Sequence, residues 1–321
     1  MSENTKNIKV PLKLRLKSWW EGYDLDDVKE RLKALQNDDP SGEDNSRESP
    51  PDPEIDSMQW SKLRIEMTQL IWGNGYCGPG GREHIKVMCK LLAMNSKMSA
   101  IVIGAGFGGP SRVLAEEFGV WITGYELSRE LAEKAMQMST DSGLASKAAI
   151  HHLDPAKDAP FNRRYDRAFS KEALYCFPDK SKILKDVFDT LKDGSLFLVT
   201  DYVLSDLSAL ENPDVRKWLK QEATQPYPVT ADMMKETLEK TGFAIRVNED
   251  ISPEYVNLIE NSWSHAATVA KQLAEKGEEG AEAVKSLMEE AEHWALRAKI
   301  LKEGHIHVWR FLAHKPSAEI R

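Results

Sequence analysis

The chain has 321 residues, 41% of them hydrophobic, and a formal net charge of −8 at pH 7. That is enough apolar material for a real core, while the acidic balance excludes the basic footprint of a general nucleic-acid binder. No apolar run reaches the roughly 18 residues of a membrane-spanning helix, the start lacks the apolar stretch of a secretory leader, and Cys77, Cys89 and Cys176 form no CxxC pair, so the expected setting is cytoplasmic and reducing.

Residues 1–36 read as a basic, helical N-terminal extension. Leucines alternate with cations from Val10 to Trp20, and Leu25, Val28, Leu32 and Leu35 then share one helical stripe. Such a segment suits packing against the main body, covering a substrate, or touching an anionic membrane surface. Residues 37–57 are acidic and proline-rich and read as a disordered linker, since they carry too little apolar surface to offset ordering entropy.

Residues 58–316 read as one globular unit. The stretch Trp60–Trp72 is an amphipathic helix, Gly73–Gly81 is a glycine-rich loop, and a helix over 83–92 leads to the buried strand Ile101–Ile103. Gly104-Ala105-Gly106-Phe107-Gly108-Gly109 follows, then a helix from Ser111. Further strands are expected at 121–126, 149–154, 165–170 and 195–201, with helices at 129–138 and 179–191 between them. Strands alternating with helices imply an α/β fold, a parallel sheet covered on both faces. The last third reads as a helix over 230–242, a strand at 243–247, two long helices at 253–275 and 281–303, and a final strand at 305–314.

A strand, a glycine turn and a helix start point backbone N–H groups and the helix dipole at a ligand. Gly104, Gly106 and Gly109 satisfy G-x-G-x-x-G, and Glu126 stands about 20 residues on, where a carboxylate accepts both hydroxyls of a ribose. Alone, this also fits a flavin- or NAD-dependent oxidoreductase. Asp154 before Pro155 ends the next strand, the loop lies behind a glycine-rich approach segment, and no second flavin motif follows.

From about Trp60 to Lys315 the chain thereby resembles the class I S-adenosylmethionine-dependent methyltransferases. The resemblance implies a Rossmann-like, mostly parallel seven-stranded sheet whose last strand slots antiparallel between the fifth and sixth, with residues 252–303 a helical insertion covering the substrate. It implies S-adenosyl-L-methionine as cofactor, held by Gly104, Ala105, Gly106, Gly108, Gly109, Glu126, Leu127, Asp154, Pro155 and Ser170. Asp154 would contact the adenine amino group, although a turn aspartate before proline is the plainer reading. Leu191-Lys-Asp-Gly-Ser195-Leu matches the family's turn into strand five, with Ser195 where a second glycine is usual.

Two segments are similar to the phosphoethanolamine and glycine/sarcosine N-methyltransferases. Trp72-Gly-Asn74-Gly-Tyr76-Cys-Gly-Pro-Gly-Gly81 resembles their approach segment, with Asn74 in place of a glutamate. Ser170-Lys-Glu172-Ala-Leu-Tyr175-Cys176 resembles the segment after their fourth strand, with Glu172 in place of an aspartate and Cys176 in place of a histidine. The resemblance implies a small-molecule methyl acceptor, an amine foremost and a lipid headgroup as the alternative. Glu172 and Tyr76 are the catalytic candidates. Trp72, Tyr175, Cys176 and Tyr202 are the substrate candidates, with core packing the plainer role for the tyrosines and for Cys176. Trp263, His265, Trp294 and Arg297 are placed to face the acceptor. His151-His152 and His305-x-His307 lack partners at ligand spacing, so no metal is expected. Oligomeric state is left open.

Overall fold

The computed structural model describes residues 60–155, 161 and 163–317. What the sequence suggests for residues 1–57 lies outside the described residues. Helix α1 (Lys62–Trp72) opens on Ser61, whose Oγ accepts the Arg64 N–H, and α2 is Gly81–Met88. The alternating section runs β1 (Ser99–Ile103), α3 (Gly109–Glu117), β2 (Trp121–Glu126), α4 (Arg129–Asp141), β3 (Ala148–His152), β4 (Tyr165–Lys171), α5 (Lys180–Thr190) and β5 (Leu191–Leu204). Then come α6 (Pro213–Gln221), α7 (Ala231–Thr241), β6 (Ala244–Asp250), α8 (Ser252–Trp263), α9 (Ala266–Ala274), α10 (Glu278–Lys302) and β7 (Ile306–His314).

Among the described residues seven strands form one sheet in the order β3-β2-β1-β4-β5-β7-β6. β7 is antiparallel to both neighbours and the remaining pairings are parallel, as the Rossmann-like reading expects. Ala100–Ile103 are buried because helices cover both faces of a parallel strand, which explains a continuous β-branched run instead of an alternating one. The strand order reverses between β1 and β4, and that switch point opens a crevice beyond their C-terminal ends.

Three elements differ from the sequence expectation. β5 extends to Leu204 because β7 pairs with it continuously, from Leu196↔His314 to Leu204↔Ile306, which brings Tyr202 into the sheet. The first of the two expected long helices is two, since the chain bends at Ser264–His265; the break at Gly277, where φ is +75°, falls in the expected gap before the second. Helix α6, started by Asn212 Oδ1 accepting the Asp214 and Val215 N–H groups, lies in a stretch the sequence pattern left unassigned.

Helices α1, α6, α8, α9 and α10 form a cap. Its core is continuous with Tyr202 and Leu204 of β5 and with Ile306 and Val308 of β7, through Trp218, Tyr255, Trp263 and Trp294. Trp72 ties α1 to α10 and α8, its ring centroid 4.4 Å from Trp294 and 6.1 Å from Trp263, and the Trp218 ring meets that of Tyr202 on β5 at 6.0 Å. The cap is thereby fixed to the sheet by several large apolar contacts instead of resting on loops.

Candidate functional site

The crevice at the switch point is a cleft of about 1200 Å³ of empty space, its open mouth included. Its floor begins where β1 ends. The Gly104 and Ala105 N–H groups both donate to the Tyr125 carbonyl, at 2.8 and 3.0 Å, which turns the chain sharply. The Gly106 N–H then donates to Glu126 Oε2 at 2.7 Å, and Glu126 Oε1 accepts the Ser128 N–H at 3.0 Å. Burial pushes the Glu126 carboxyl above its ordinary value of 4.5, and the Ser128 and Gly106 N–H groups pull against that. A Cβ on Gly106, whose φ is +54°, would stand 2.7 Å from Cys77 Sγ, so this turn is shaped by the approach segment as well as by the strand.

That approach segment is tied down by backbone. Gln69 on α1 donates from Nε2 to the Tyr76 carbonyl at 3.0 Å and accepts the Gly75 N–H at 2.5 Å. The Gly75 carbonyl in turn accepts the Gly109 N–H at 2.9 Å. Side chains at either glycine would collide: a Cβ on Gly109 would lie 2.3 Å from the Gly75 carbonyl oxygen. Two glycine runs some 30 residues apart are therefore one packed unit, and the third glycine of G-x-G-x-x-G serves loop-to-helix packing.

Beyond β4, Glu172 adopts φ +44°, a left-handed conformation uncommon outside glycine. Its N–H donates to the Thr200 carbonyl at 2.7 Å. Its Oε1 accepts from Thr200 Oγ1 at 2.7 Å and from Tyr255 Oη at 2.6 Å, while Oε2 pairs with Lys171. These bonds outweigh a backbone cost of about 1–2 kcal/mol and hold the carboxylate at the cleft.

The opposite wall is ionic and comes from the cap. Arg64 of α1 pairs with Glu290 of α10, both more than nine-tenths buried. Glu222, just past α6, pairs with Arg297 of α10, lies 3.5 Å from His293 Nε2, and accepts the Tyr175 hydroxyl at 3.1 Å. The Arg297 guanidinium lies 4.1 Å from the Trp294 ring centroid and 5.0 Å from that of Tyr202. Burial alone would push Glu222 up, but Arg297 and then His293 hold its carboxyl far below the usual range. The thiol of Cys176 is pushed well up by burial and by Glu222 and Asp201, which leaves it a small apolar group and no ready nucleophile.

Of the residues singled out from sequence, Tyr76, Gly104, Ala105, Gly106, Glu126, Leu127, Glu172, Tyr175, Cys176 and Tyr202 all line this cleft, and so do Trp294 and Arg297. Others lie elsewhere. Ser170 is buried behind the floor, its hydroxyl donating to the Ile103 carbonyl at 3.0 Å and stitching β4 to β1. Gly108 and Gly109 are buried beneath the turn. Asp154 is half-buried and Pro155 exposed beyond the end of β3, outside the cleft lining. Trp72 and Trp263 sit in the cap core, and His265 is exposed. Sequence reading missed Arg64, Lys171, Glu222, Glu290 and His293. The one available signal was Arg64 falling on the buried stripe of α1 with Met67 and Thr68.

Residues 94–292, more than half of the chain, match the family described as a methyltransferase domain. Among curated proteins, phosphoethanolamine N-methyltransferase 1 of Zea mays is 24% identical over 206 residues, 64% of this chain and 40% of the relative, so the chain spans about two-fifths of that protein's length. Among solved structures, phosphoethanolamine N-methyltransferase 2 of Haemonchus contortus, in complex with phosphomonomethylethanolamine and S-adenosylhomocysteine, superposes with a TM-score of 0.68 at 22% identity, covering 82% of this chain and 59% of that one. The cyclopropane synthase MmaA2 of Mycobacterium tuberculosis gives a TM-score of 0.62 at 18% identity, covering 83% and 100%. The oxidoreductase reading of the glycine turn gives way to this match: the chain belongs to the methyltransferase domain family.

Proposed function

We propose that this chain is an S-adenosyl-L-methionine-dependent methyltransferase acting on a small amine. The observation that carries the reading is the pairing of the Gly106 N–H with the buried Glu126 carboxylate at the switch point, inside a chain that belongs to the methyltransferase domain family. The residues fit the cofactor. The Gly104–Gly106 turn lines the cleft without a bulky side chain between backbone and an amino-acid moiety, and the Glu126 carboxylate can accept two ribose hydroxyls once they replace backbone donors. Leu127 offers an apolar edge to the purine, and Asp154 with Pro155 would reach its amino group only from the rim.

When bound, the sulfonium supplies an activated methyl, so the protein needs to align a lone pair with it and keep water out. Glu172, fixed by Thr200, Tyr255 and Lys171, faces the cleft as counter-ion to an ammonium acceptor and takes up its proton. Tyr76 closes the cofactor side, and Tyr175, Tyr202 and Cys176 shape the acceptor side. The helical segment 252–303 covers the acceptor, as α10 supplies Glu290, His293, Trp294 and Arg297 to the wall. A cytoplasmic location rests on the three free cysteines. Among the described residues no helix is long and apolar enough to cross a membrane.

The test is release of S-adenosylhomocysteine from S-adenosylmethionine against a panel of small amines, hydroxy acids and lipid headgroups. Turnover with amines, lowered at least 100-fold by Glu172→Ala with S-adenosylhomocysteine affinity kept, is the expected result; bound flavin or nicotinamide would sink the reading.

A further inference from the structure

The cleft is lined by the cations Arg64, Lys171 and Arg297, and a glutamate takes each of them: Glu290, Glu172 and Glu222. With Glu126 counted, four carboxylates face three Lys and Arg side chains, so the cleft is not a positive one. The Glu222 cradle is the most telling. A guanidinium, a tyrosine hydroxyl and a histidine ring converge on its carboxylate, the donor set that would hold an anionic group of a ligand. The chain has filled that cradle with its own side chain. Arg297 likewise lies on the faces of Trp294 and Tyr202, which would otherwise attract a ligand cation.

We infer that Glu222 is a specificity determinant that closes the acceptor pocket to phosphate- and carboxylate-bearing amines, so that the acceptor is an amine without an anionic group. This rests on the reading of the cleft as a methyl-transfer site. A phosphate dianion would have to enter a buried cleft whose cations are already neutralised, displace Glu222 from Arg297, and leave that carboxylate buried without its partner. Phosphoethanolamine, named for the similar plant enzymes, is therefore a poor acceptor here.

The experiment measures phosphoethanolamine and ethanolamine by calorimetry and by turnover, on the full chain with and without S-adenosylhomocysteine. Wild type is expected to bind no phosphoethanolamine at about 10 mM and to prefer ethanolamine in kcat/KM at least 100-fold. Glu222→Ala and Glu222→Gln leave Arg297 uncompensated. Both are expected to gain phosphoethanolamine affinity at least tenfold, and inorganic phosphate is expected to raise their Tm but not that of wild type. Wild-type binding of phosphoethanolamine, or folded variants of both kinds that gain nothing from phosphate, overturns the inference. If the variants fail to fold, the wild-type binding arm alone decides. Failure to bind S-adenosylhomocysteine would instead sink the methyl-transfer reading, and the phosphate measurements on ligand-free protein stand apart from that.

Discussion

Glu126 illustrates how one residue couples binding to pH. Its carboxyl is held above 4.5 by burial, so its proton is lost at a higher pH than an ordinary glutamate's. Ribose hydroxyls donate only to the ionised form with full strength. S-adenosylhomocysteine affinity should therefore fall as pH drops through the raised value, and Glu126→Gln should flatten that dependence while lowering affinity about 100-fold, as two charge-assisted hydrogen bonds weaken. Calorimetry from pH 5 to pH 8 would show both; an unchanged slope in Glu126→Gln would assign the titration elsewhere. Gly109 offers a purely steric counterpart. A Cβ there meets the Gly75 backbone carbonyl at 2.3 Å, and a backbone atom cannot swing aside as a side chain can. Gly109→Ala should cost about 1–3 kcal/mol in denaturant unfolding and loosen the approach segment, seen as reduced S-adenosylhomocysteine affinity. At this scale the sequence was legible where chemistry is local: Gly104–Gly106 and Glu126 are bound by spacing along one strand–turn–helix–strand unit. It was silent on Glu222 and Glu290, whose partners stand 75 and 226 residues away and leave no periodic trace.

At the scale of elements, α1 and α10 define the wall through the buried Arg64–Glu290 pair. Removing one partner leaves an uncompensated buried charge, so Arg64→Met should destabilise by about 3–5 kcal/mol, whereas Arg64→Met with Glu290→Met should recover most of that loss. Denaturant midpoints of the two singles and the double complete the cycle; a loss in the double equal to the sum of the two single losses would mean the pair carries no coupling. Helix and strand identities were legible where periodicity was strong, as in α1 and β7, or where a short apolar run stood between turn signals, as in β1 and β2. The miscounted cap helices had a physical cause. The apolar stripe of the first expected helix runs on through Ser264 and His265, and only tertiary packing decides where such a stripe bends.

For the whole molecule, two buried carboxyls act on stability with opposite signs. Glu222 is depressed below its unfolded value by Arg297, against the pull of burial, so its contribution is complete above about pH 4.5 and is lost as pH falls toward its folded value. Asp201 is raised well above 3.8 by burial despite Lys180, so its contribution is complete at low pH and is lost as pH rises through its folded value. Thermal unfolding followed across pH should show Glu222→Gln with a shallower acid limb and Asp201→Asn gaining stability relative to wild type toward alkaline pH. If Asp201→Asn loses stability uniformly across that range, its carboxyl is serving as an acceptor and not as a buried charge.

The placement of β7 sets an order of assembly. The strand lying between β5 and β6 is the last of the seven in chain order, and its partners are separated from it by more than 50 and 100 residues. During synthesis β1 to β5 can pair among themselves, while β6 has no sheet neighbour to hold until β7 arrives. Docking of β7 also seals Tyr202 and Leu204 against the cap. The cofactor end of the cleft can thus be built before its acceptor end, and emergence of the final strand is the step that commits the nascent chain to a working pocket.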